Sequence, residues 1–195
     1  MEWAPLAFSG GATMASQSLA VLLNGILDDP QALRARWIHP VIVWEPPRKA
    51  TGLIDVTDVT GTALSLERGE PMVIEVVKGA FANAFPFGVT IGHAENNDVV
   101  LRHHLVSRFH AYVKVVDGKR CLVDAASRNG TWLDGQRLVP TRPVPLPPQA
   151  AIKLGGPSVT WLEPERLASW LWTRVQMAKD SRPVPWTAQL RARGG

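Results

Sequence analysis

Residues 89–133 alternate short β-patterned segments with three polar clusters, and this alternation constrains the fold more than any other feature of the chain. The clusters are Gly92-His93, Ser107-Arg108-Phe109-His110 and Ser127-Arg128-Asn129-Gly130. Loops between strands lie at the surface and carry functional groups. The three clusters together supply hydroxyl, guanidinium, imidazole and amide groups. Such a set favours holding an anion and a peptide backbone over breaking a bond.

Short strand patterns recur over residues 71–163, with turn signals between them. Asp117-Gly118 and Asp134-Gly135 each separate two strand patterns, as in hairpins with two-residue turns. The proline-rich segment 142–148 is expected to be extended and cannot pair as a central strand. Several short strands with regular turns predict a mainly β protein, folded as a sandwich or barrel.

The ordered set of motifs resembles the forkhead-associated (FHA) domain, a β-sandwich family of phosphothreonine-peptide readers. The residues that carry the resemblance are Gly92, Ser107 and His110 in an S-x-x-H motif, and Asn129-Gly130. The flanking segments NNDVVL, SRNGTWLDGQRL and IKLG agree with it. The resemblance covers about residues 71–163 and implies an FHA-like β-sandwich there.

Ser107, Arg108, Arg128 and Asn129 are expected to form a phosphopeptide site, and the resemblance implies this role for Ser107. A hydroxyl can donate to a phosphate oxygen, a guanidinium can form two parallel hydrogen bonds to it, and an amide can face the peptide backbone. A phosphate carries about −1.5 to −2 charges and favours more than one nearby cation. Outside this set, the same residues would be read as a turn serine, solvated arginines and an ordinary Asn-Gly turn.

Three further residues are expected to support the site structurally. The resemblance implies that His110 hydrogen-bonds across the base of the loop and holds Ser107 in place. Gly130 is expected to adopt a positive φ, which glycine does without steric cost. Gly92 belongs to the same supporting group.

His93 departs from the family pattern, which usually has arginine after the first glycine. Histidine is shorter than arginine and carries less charge at neutral pH. In one interpretation, a bound phosphate favours the charged imidazole and recruits His93 as a donor, so that binding strengthens below neutral pH. In the other, the phosphate site has been lost or repurposed.

We expect no catalysis, cofactor or metal. Ser107 and His110 are three residues apart across a loop–strand junction, without the orienting acid that a catalytic triad needs. His103 and His104 are adjacent in a loop, and no Asp or Cys at metal-ligand spacing joins them. These two histidines are expected beside the binding face, with a contribution to peptide selectivity.

The regions outside residues 71–163 divide into four predicted parts. Residues 1–15 are expected to be disordered, with Met14 as an alternative start to Met1. Residues 16–70 are expected to form a helical and then mixed accessory region, and residues 164–179 a C-terminal amphipathic helix. Residues 180–195 are expected to be a flexible tail.

Within the accessory region, leucines at helical spacing follow Ser16 or Ser18 as an N-cap, and Asp29 with Pro30 is expected to begin a second short helix. The leucine stripe is Leu19, Leu22, Leu23, Ile26 and Leu27. It packs on this chain or, alternatively, forms a surface for a partner or for self-association. Residues 41–44 predict a strand, and residues 53–68 a hairpin around Gly61.

Composition narrows the partners and the compartment. The formal charge of +4 is small, and the sequence contains no long run of Lys and Arg. Nucleic acid binding is therefore not expected. No segment reaches the roughly 18–20 apolar residues that span a bilayer, so no membrane association is expected. The single cysteine, Cys121, is expected to be buried in a reducing compartment, and the protein to be cytoplasmic.

The sequence thus predicts a non-catalytic adaptor that recognises phosphothreonine in Ser/Thr-kinase signalling. Its expected partner is a phosphorylated protein, either a Ser/Thr kinase or a kinase substrate. The alternative is a phosphate-independent interaction or oligomerisation scaffold that has lost the phosphate site. Such a scaffold would use the sandwich face, the leucine helix or the terminal helix around Trp170 and Trp172, including self-association through the terminal helices.

Overall fold

Two β-sheets packed face to face form the centre of the protein. The computed structural model describes residues 16–29, 31, 36–45, 71–79 and 83–180. The strands are β1 (Ser16–Ser18), β2 (Val41–Trp44), β3 (Met72–Glu75), β4 (Val89–Gly92), β5 (Val99–Val100), β6 (Ala111–Val116), β7 (Lys119–Asp124), β8 (Thr131–Leu133), β9 (Gln136–Arg137), β10 (Val144–Pro145), β11 (Gln149–Leu154) and β12 (Ser158–Leu162). The helices are α1 (Leu19–Asp28) and α2 (Pro164–Asp180).

One sheet has seven strands in the order β1-β3-β2-β12-β11-β8-β9, and the other has five in the order β10-β7-β6-β4-β5. Strands β4 and β5 pair in parallel, whereas the other described pairs are antiparallel. The prediction of a mainly β sandwich with a C-terminal helix is confirmed. Strand β10 lies at an edge of its sheet, where the proline-rich segment was expected.

Both predicted hairpin turns are present. Asp117 and Gly118 have φ values of 49° and 73°, and Asp134 and Gly135 have φ values of 47° and 82°. Positive φ at both central residues is the signature of the turn type that matches the twist of paired strands. These turns fix the pairing of β6 with β7 and of β8 with β9.

Strand β2 is buried on both faces, and it shows how the layers are built. Ile42 and Trp44 point into the core between the two sheets, where Trp161 is also fully buried. Val41 and Val43 point to the opposite face and pack with residues of the two helices. The protein therefore has three layers: the helices, the seven-stranded sheet and the five-stranded sheet.

The two helices pack against each other on the outer face of the seven-stranded sheet. Leu19, Leu22 and Leu23 of α1 are buried in one cluster with residues of α2. The α2 residues of this cluster are Leu167, Ala168, Leu171 and Val175. The leucine stripe thus packs on this chain at its three described positions, whereas the side chains of Ile26 and Leu27 lie outside the described part.

The start of the second predicted helix is partly described. The Asp29 carboxylate accepts a hydrogen bond from the Gln31 N–H at 2.9 Å, as an N-cap residue does. Gln31 and Arg36 are helical, whereas residues 30 and 32–35 lie outside the described residues. Residues 1–15, the predicted hairpin around Gly61 and residues 181–195 also lie outside the described residues.

The predicted division of the chain into parts stays a prediction, but the seven-stranded sheet extends across residue 71. Strand β2 lies between β3 and β12, so a segment from the expected accessory region sits inside the sheet. Pairing of this kind joins residues far apart in sequence, and a local pattern does not reveal it. Across the part of the chain that is described, no helix combines the length and the apolarity needed to cross a membrane.

Asp98 is a fully buried carboxylate that joins residues 78–79 to β4. It accepts hydrogen bonds from the N–H and hydroxyl of Thr90 at 2.7 and 2.9 Å, from the Gly79 N–H at 3.0 Å and from Lys78 Nζ at 2.9 Å. Burial raises the pKa of Asp98, but these hydrogen bonds outweigh burial and hold it below its usual value. Such a group stabilises the fold above its unfolded-state pKa, and the stabilisation is lost as the pH falls.

We therefore expect Asp98→Asn to lower the free energy of unfolding by about 2 kcal/mol at pH 7, since an amide cannot accept all four hydrogen bonds. The difference between wild type and variant should shrink below about pH 4, where the unfolded-state carboxyl takes up a proton. Urea denaturation at pH 7 and pH 3 measures both effects. An equal difference at the two pH values would contradict this role of the Asp98 charge.

Candidate functional site

The three polar clusters meet at one end of the five-stranded sheet. Ile91 of β4 pairs with Ala111 of β6, which pairs with Asp124 of β7. Because β6 is antiparallel to both neighbours, the end of β4, the start of β6 and the end of β7 lie at the same edge. The adjoining segments are the first loop (residues 93–98), the second loop (residues 101–110) and the third loop (residues 125–130).

His110 lies at the base of the second loop and connects it to the third. Its Nδ1 accepts a hydrogen bond from the Ser107 N–H at 2.9 Å, and its Nε2 lies 3.1 Å from the Gly130 carbonyl oxygen. Since Nδ1 accepts from a backbone N–H, the proton of the neutral ring is on Nε2, which donates to Gly130. Both ring nitrogens are therefore used within the protein.

The environment keeps this imidazole uncharged. His110 is fully buried, and burial lowers its pKa, while the Gly130 carbonyl and the charge of Asp124 act in the opposite direction and only partly offset burial. A neutral ring is what the two hydrogen bonds require, since a protonated Nδ1 would face the Ser107 N–H with a second donor.

The Ser107 hydroxyl faces the third loop. Its Oγ accepts a hydrogen bond from the Arg128 N–H at 3.0 Å. This bond uses an oxygen lone pair and leaves the hydroxyl proton for a ligand oxygen. The His110 ring bonds to the Ser107 backbone and not to its hydroxyl, so the two side chains do not form a nucleophile–base pair.

Asp124 organises the third loop, and the sequence reasoning did not identify this role. Its buried carboxylate accepts hydrogen bonds from the Ser127 hydroxyl at 2.6 Å, the Ser127 N–H at 3.1 Å and the Thr131 hydroxyl at 2.6 Å. The available signal was an aspartate at the end of a buried strand pattern, with hydroxyl residues three and seven positions later.

Asn129 ties the third loop to the second. Its Nδ2 donates to the Leu105 carbonyl oxygen at 2.8 Å, which uses one of its two amide protons. Gly130 follows with a φ of 82°, so the expected positive φ is confirmed. The left-handed backbone at Gly130 leads the chain from the third loop into β8, in the opposite sheet.

The first and second loops are in close contact at Gly92. A Cβ at this position would lie 2.3 Å from the Arg108 carbonyl oxygen, so only glycine fits. His93 and Ala94 donate their backbone N–H groups to the carbonyl oxygens of Ser107 and Arg108 at 2.9 and 3.1 Å.

Asn97 is a second supporting residue that the sequence reasoning missed. Its side chain is buried, and its Nδ2 donates to the carbonyl oxygens of Ala94 at 2.7 Å and Arg108 at 2.6 Å. It therefore fixes the first loop internally and against the second. Asn97 belongs to the NNDVVL segment, which supported the family resemblance. No role for Asn97 itself was predicted from the sequence.

A depression of about 190 Å³ lies between the second and third loops. Four of the predicted site residues line it, and His104 lines it with them. The four are Ser107, Arg108, Arg128 and Asn129. Arg108, Arg128 and His104 are exposed, and no carboxylate is among the lining residues, so the depression is electropositive.

His93 is placed differently from the other predicted site residues. Its backbone is bonded to the second loop and its side chain is exposed, but it is not among the residues that line the depression. A larger cavity of about 400 Å³ lies near Lys119, Arg120 and Glu163 and includes none of the predicted site residues. The candidate site is the smaller depression, since Ser107, Arg108, Arg128 and Asn129 line it.

The rings of His103 and His104 stack, with centroids 4.6 Å apart and an interplanar angle of 19°. Within the described ranges, no group of three or more His, Cys, Asp or Glu residues could hold a metal ion.

The family model of the FHA domain matches residues 89–155, which include all three loops and the depression. Over these residues the chain is similar to the FHA domain family. FHA domains are phosphothreonine-binding modules and are generally non-catalytic. No curated protein matches the chain.

Three solved structures illustrate the similarity. EmbR of Mycobacterium tuberculosis, in complex with a low-affinity phosphopeptide, has 26% identity and a TM-score of 0.36, over 39% of this chain and 20% of that chain. An FHA domain with phosphothreonine-dependent interactions has 16% identity and a TM-score of 0.41, over 63% of this chain and 95% of that chain. An engineered FHA domain with a Myc-pTBD peptide has 18% identity and a TM-score of 0.43, over 70% of this chain and 99% of that chain.

Proposed function

We propose that this protein recognises phosphothreonine in a partner protein through the depression between the second and third loops. The observation that carries the proposal is that Ser107, Arg108 and Arg128 line one electropositive depression. A phosphate dianion needs several donors and more than one cation, and this depression offers both.

Each residue of the depression has a proposed role. Ser107 donates its hydroxyl proton to a phosphate oxygen, because its lone pair already accepts from the Arg128 N–H. Arg108 and Arg128 form charge-assisted hydrogen bonds worth about 1.5–3 kcal/mol each when well placed. Asn129 contacts the peptide backbone next to the phosphothreonine, with the amide proton that Leu105 does not use.

The remaining predicted residues act around the depression. His93 is proposed to contact the ligand from the first loop, beside Ser107. Gly92, His110 and Gly130 are proposed to support the site by holding the loops together, through the close approach at Gly92 and the hydrogen bonds of His110.

The biological role proposed for this site is that of a non-catalytic adaptor in Ser/Thr-kinase signalling. Its partner is a protein phosphorylated on threonine, either a Ser/Thr kinase or a kinase substrate. A cytoplasmic location is supported by Cys121, which is buried and carries a free thiol, as expected in a reducing compartment.

The experiment that tests this function is fluorescence polarisation with a degenerate phosphothreonine peptide pool and its unphosphorylated twin. We expect binding to the phosphorylated pool only. Ser107→Ala should weaken it at least tenfold, since one donor to the phosphate is lost and the Arg128 N–H loses its acceptor. A matched control is Ser169→Ala, because Ser169 is an exposed α2 serine whose hydroxyl bonds within its own helix.

Two outcomes would contradict the proposed function. One is equal binding of the phosphorylated and unphosphorylated pools. The other is an affinity that Ser107→Ala leaves unchanged in protein shown to be folded by circular dichroism.

The alternative function, a phosphate-independent interaction module, is favoured by one observation on α2. Trp172 and Met177 are 46% and 57% exposed, so two large apolar side chains of this helix are not covered by the described part of the chain. A stable oligomer in size-exclusion chromatography that dissociates on Trp172→Ala would support this function. The leucines of α1 offer it less support, since Leu19, Leu22 and Leu23 are buried within the protein.

A further inference from the structure

His104 lies in the same depression as the proposed phosphate-binding residues, although the family resemblance assigns it no role. It lines the depression with Ser107, Arg108 and Arg128, and its side chain is exposed. The other exposed histidine beside the site, His93, is not among the lining residues. His104 therefore lies beside the residues that are proposed to bind the phosphate.

The position of the His104 ring is restrained by its neighbour. His103 stacks on it with ring centroids 4.6 Å apart, and the Nδ1 of His103 accepts a hydrogen bond from the Leu105 N–H at 3.1 Å. A side chain at Gly156 would lie 2.9 Å from His103 Cε1, so the ring also packs closely against that backbone. A ring held by stacking loses less conformational entropy on binding a ligand than a free one.

We propose that His104 is a proton-linked contact to the phosphate and makes phosphothreonine recognition by this protein dependent on pH; this inference rests on the proposed function. Histidine is the side chain that changes charge between about pH 5 and pH 8. A protonated His104 adds a third cation to Arg108 and Arg128.

The sign of the pH dependence follows from the groups that face His104. Arg108 and Arg128 line the same depression as His104 and carry a permanent positive charge. A bound phosphate dianion favours the imidazolium form of a histidine beside it, so binding takes up a proton and strengthens as the pH falls. The phosphate itself gains a proton near pH 6, which sets a lower limit to the effect.

Affinity for the phosphothreonine peptide pool at pH 8.0 and pH 6.5 tests the inference. We expect wild type to bind about tenfold more tightly at pH 6.5, as one added charge-assisted hydrogen bond would give. His104→Gln should bind equally at both pH values, with the affinity of wild type at pH 8.0. His104→Arg should bind equally at both, with the affinity of wild type at pH 6.5, because its charge is permanent.

His39→Gln is the matched control, since it makes the same change at a histidine outside the three loops. It should keep the full pH dependence. His93→Gln changes the other histidine that is proposed to contact the ligand, and it should keep the pH dependence as well. Retention of the full dependence in His104→Gln, or its loss in His93→Gln alone, would overturn the role of His104 and leave phosphothreonine binding intact. A wild type that binds with the same affinity at both pH values would also overturn it. Wild type that binds no phosphorylated peptide at either pH would overturn both this inference and the proposed function.

Discussion

Replacing His110 by leucine is expected to lower the free energy of unfolding by about 3–4 kcal/mol. The ring accepts from the Ser107 N–H and pairs with the Gly130 carbonyl in a fully buried position. Leucine leaves both backbone groups without their partner, and each unpaired buried group costs about 1–3 kcal/mol. Urea denaturation at pH 7.5 measures the loss, and we expect phosphopeptide binding to weaken with it, since Ser107 is no longer held.

His104→Leu is the matched control for this prediction. It makes the same chemical change three residues before Ser107, but at an exposed side chain. An exposed substitution away from the core changes stability by about 0.5 kcal/mol or less. If both variants lost the same stability, the hydrogen bonds of His110 would not be the reason.

The stability of wild type should also depend on pH through His110. Burial lowers the pKa of His110 in the folded protein, so the unfolded chain binds a proton at a higher pH than the folded one does. The contribution of the neutral ring is therefore fully present above about pH 6.5 and is lost as the pH falls below that value. His110→Leu should lack this part of the pH dependence, which denaturation at pH 7.5 and pH 5.5 would reveal.

The effects of pH on stability and on binding thus have opposite signs. Acid destabilises the base of the loops through His110, while the proposed contact from His104 strengthens with proton uptake. Recognition should therefore be strongest in a window somewhat below neutral pH, where the phosphate is still a dianion and His110 is still neutral.

Much of the fold was predictable because its signals are local. The turns at residues 117–118 and 134–135 were identified from Asp-Gly pairs, and the strands beside them from period-two patterns. The expected contact between His110 and the residues near Ser107 was implied by the resemblance to the FHA family, which rests in part on the S-x-x-H motif. In each case, neighbours in sequence are neighbours in the structure.

The rest depends on contacts between distant segments, which local patterns do not encode. Strand β2 lies between β3 and β12 and is buried on both faces. Its sequence does not indicate which strands it pairs with. The position of His104 inside the depression, with His93 outside it, follows from how the second and third loops pack. The hydrogen bonds of Asn129 and of Asp124 fix that packing.

Asp124→Asn is expected to lower the free energy of unfolding by about 2–3 kcal/mol and to weaken phosphopeptide binding at least tenfold. The carboxylate accepts from the Ser127 N–H and from the hydroxyls of Ser127 and Thr131. An asparagine in its place sets an NH₂ group against one of these donors, and hydrogen bonds to a charged group contribute about 1.5–3 kcal/mol each. Binding falls because the third loop carries Arg128 and Asn129.

The matched control is Asp117→Asn, in the exposed turn between β6 and β7, where asparagine tolerates the φ of 49° as well as aspartate does. Its stability should change by about 0.5 kcal/mol or less. A third readout is the titration of His110 followed by NMR. Because the charge of Asp124 raises the pKa of His110 against the effect of burial, its removal should move that pKa further down. An unchanged His110 titration in a folded Asp124→Asn protein would show that the two side chains, and hence the second and third loops, are not electrostatically coupled.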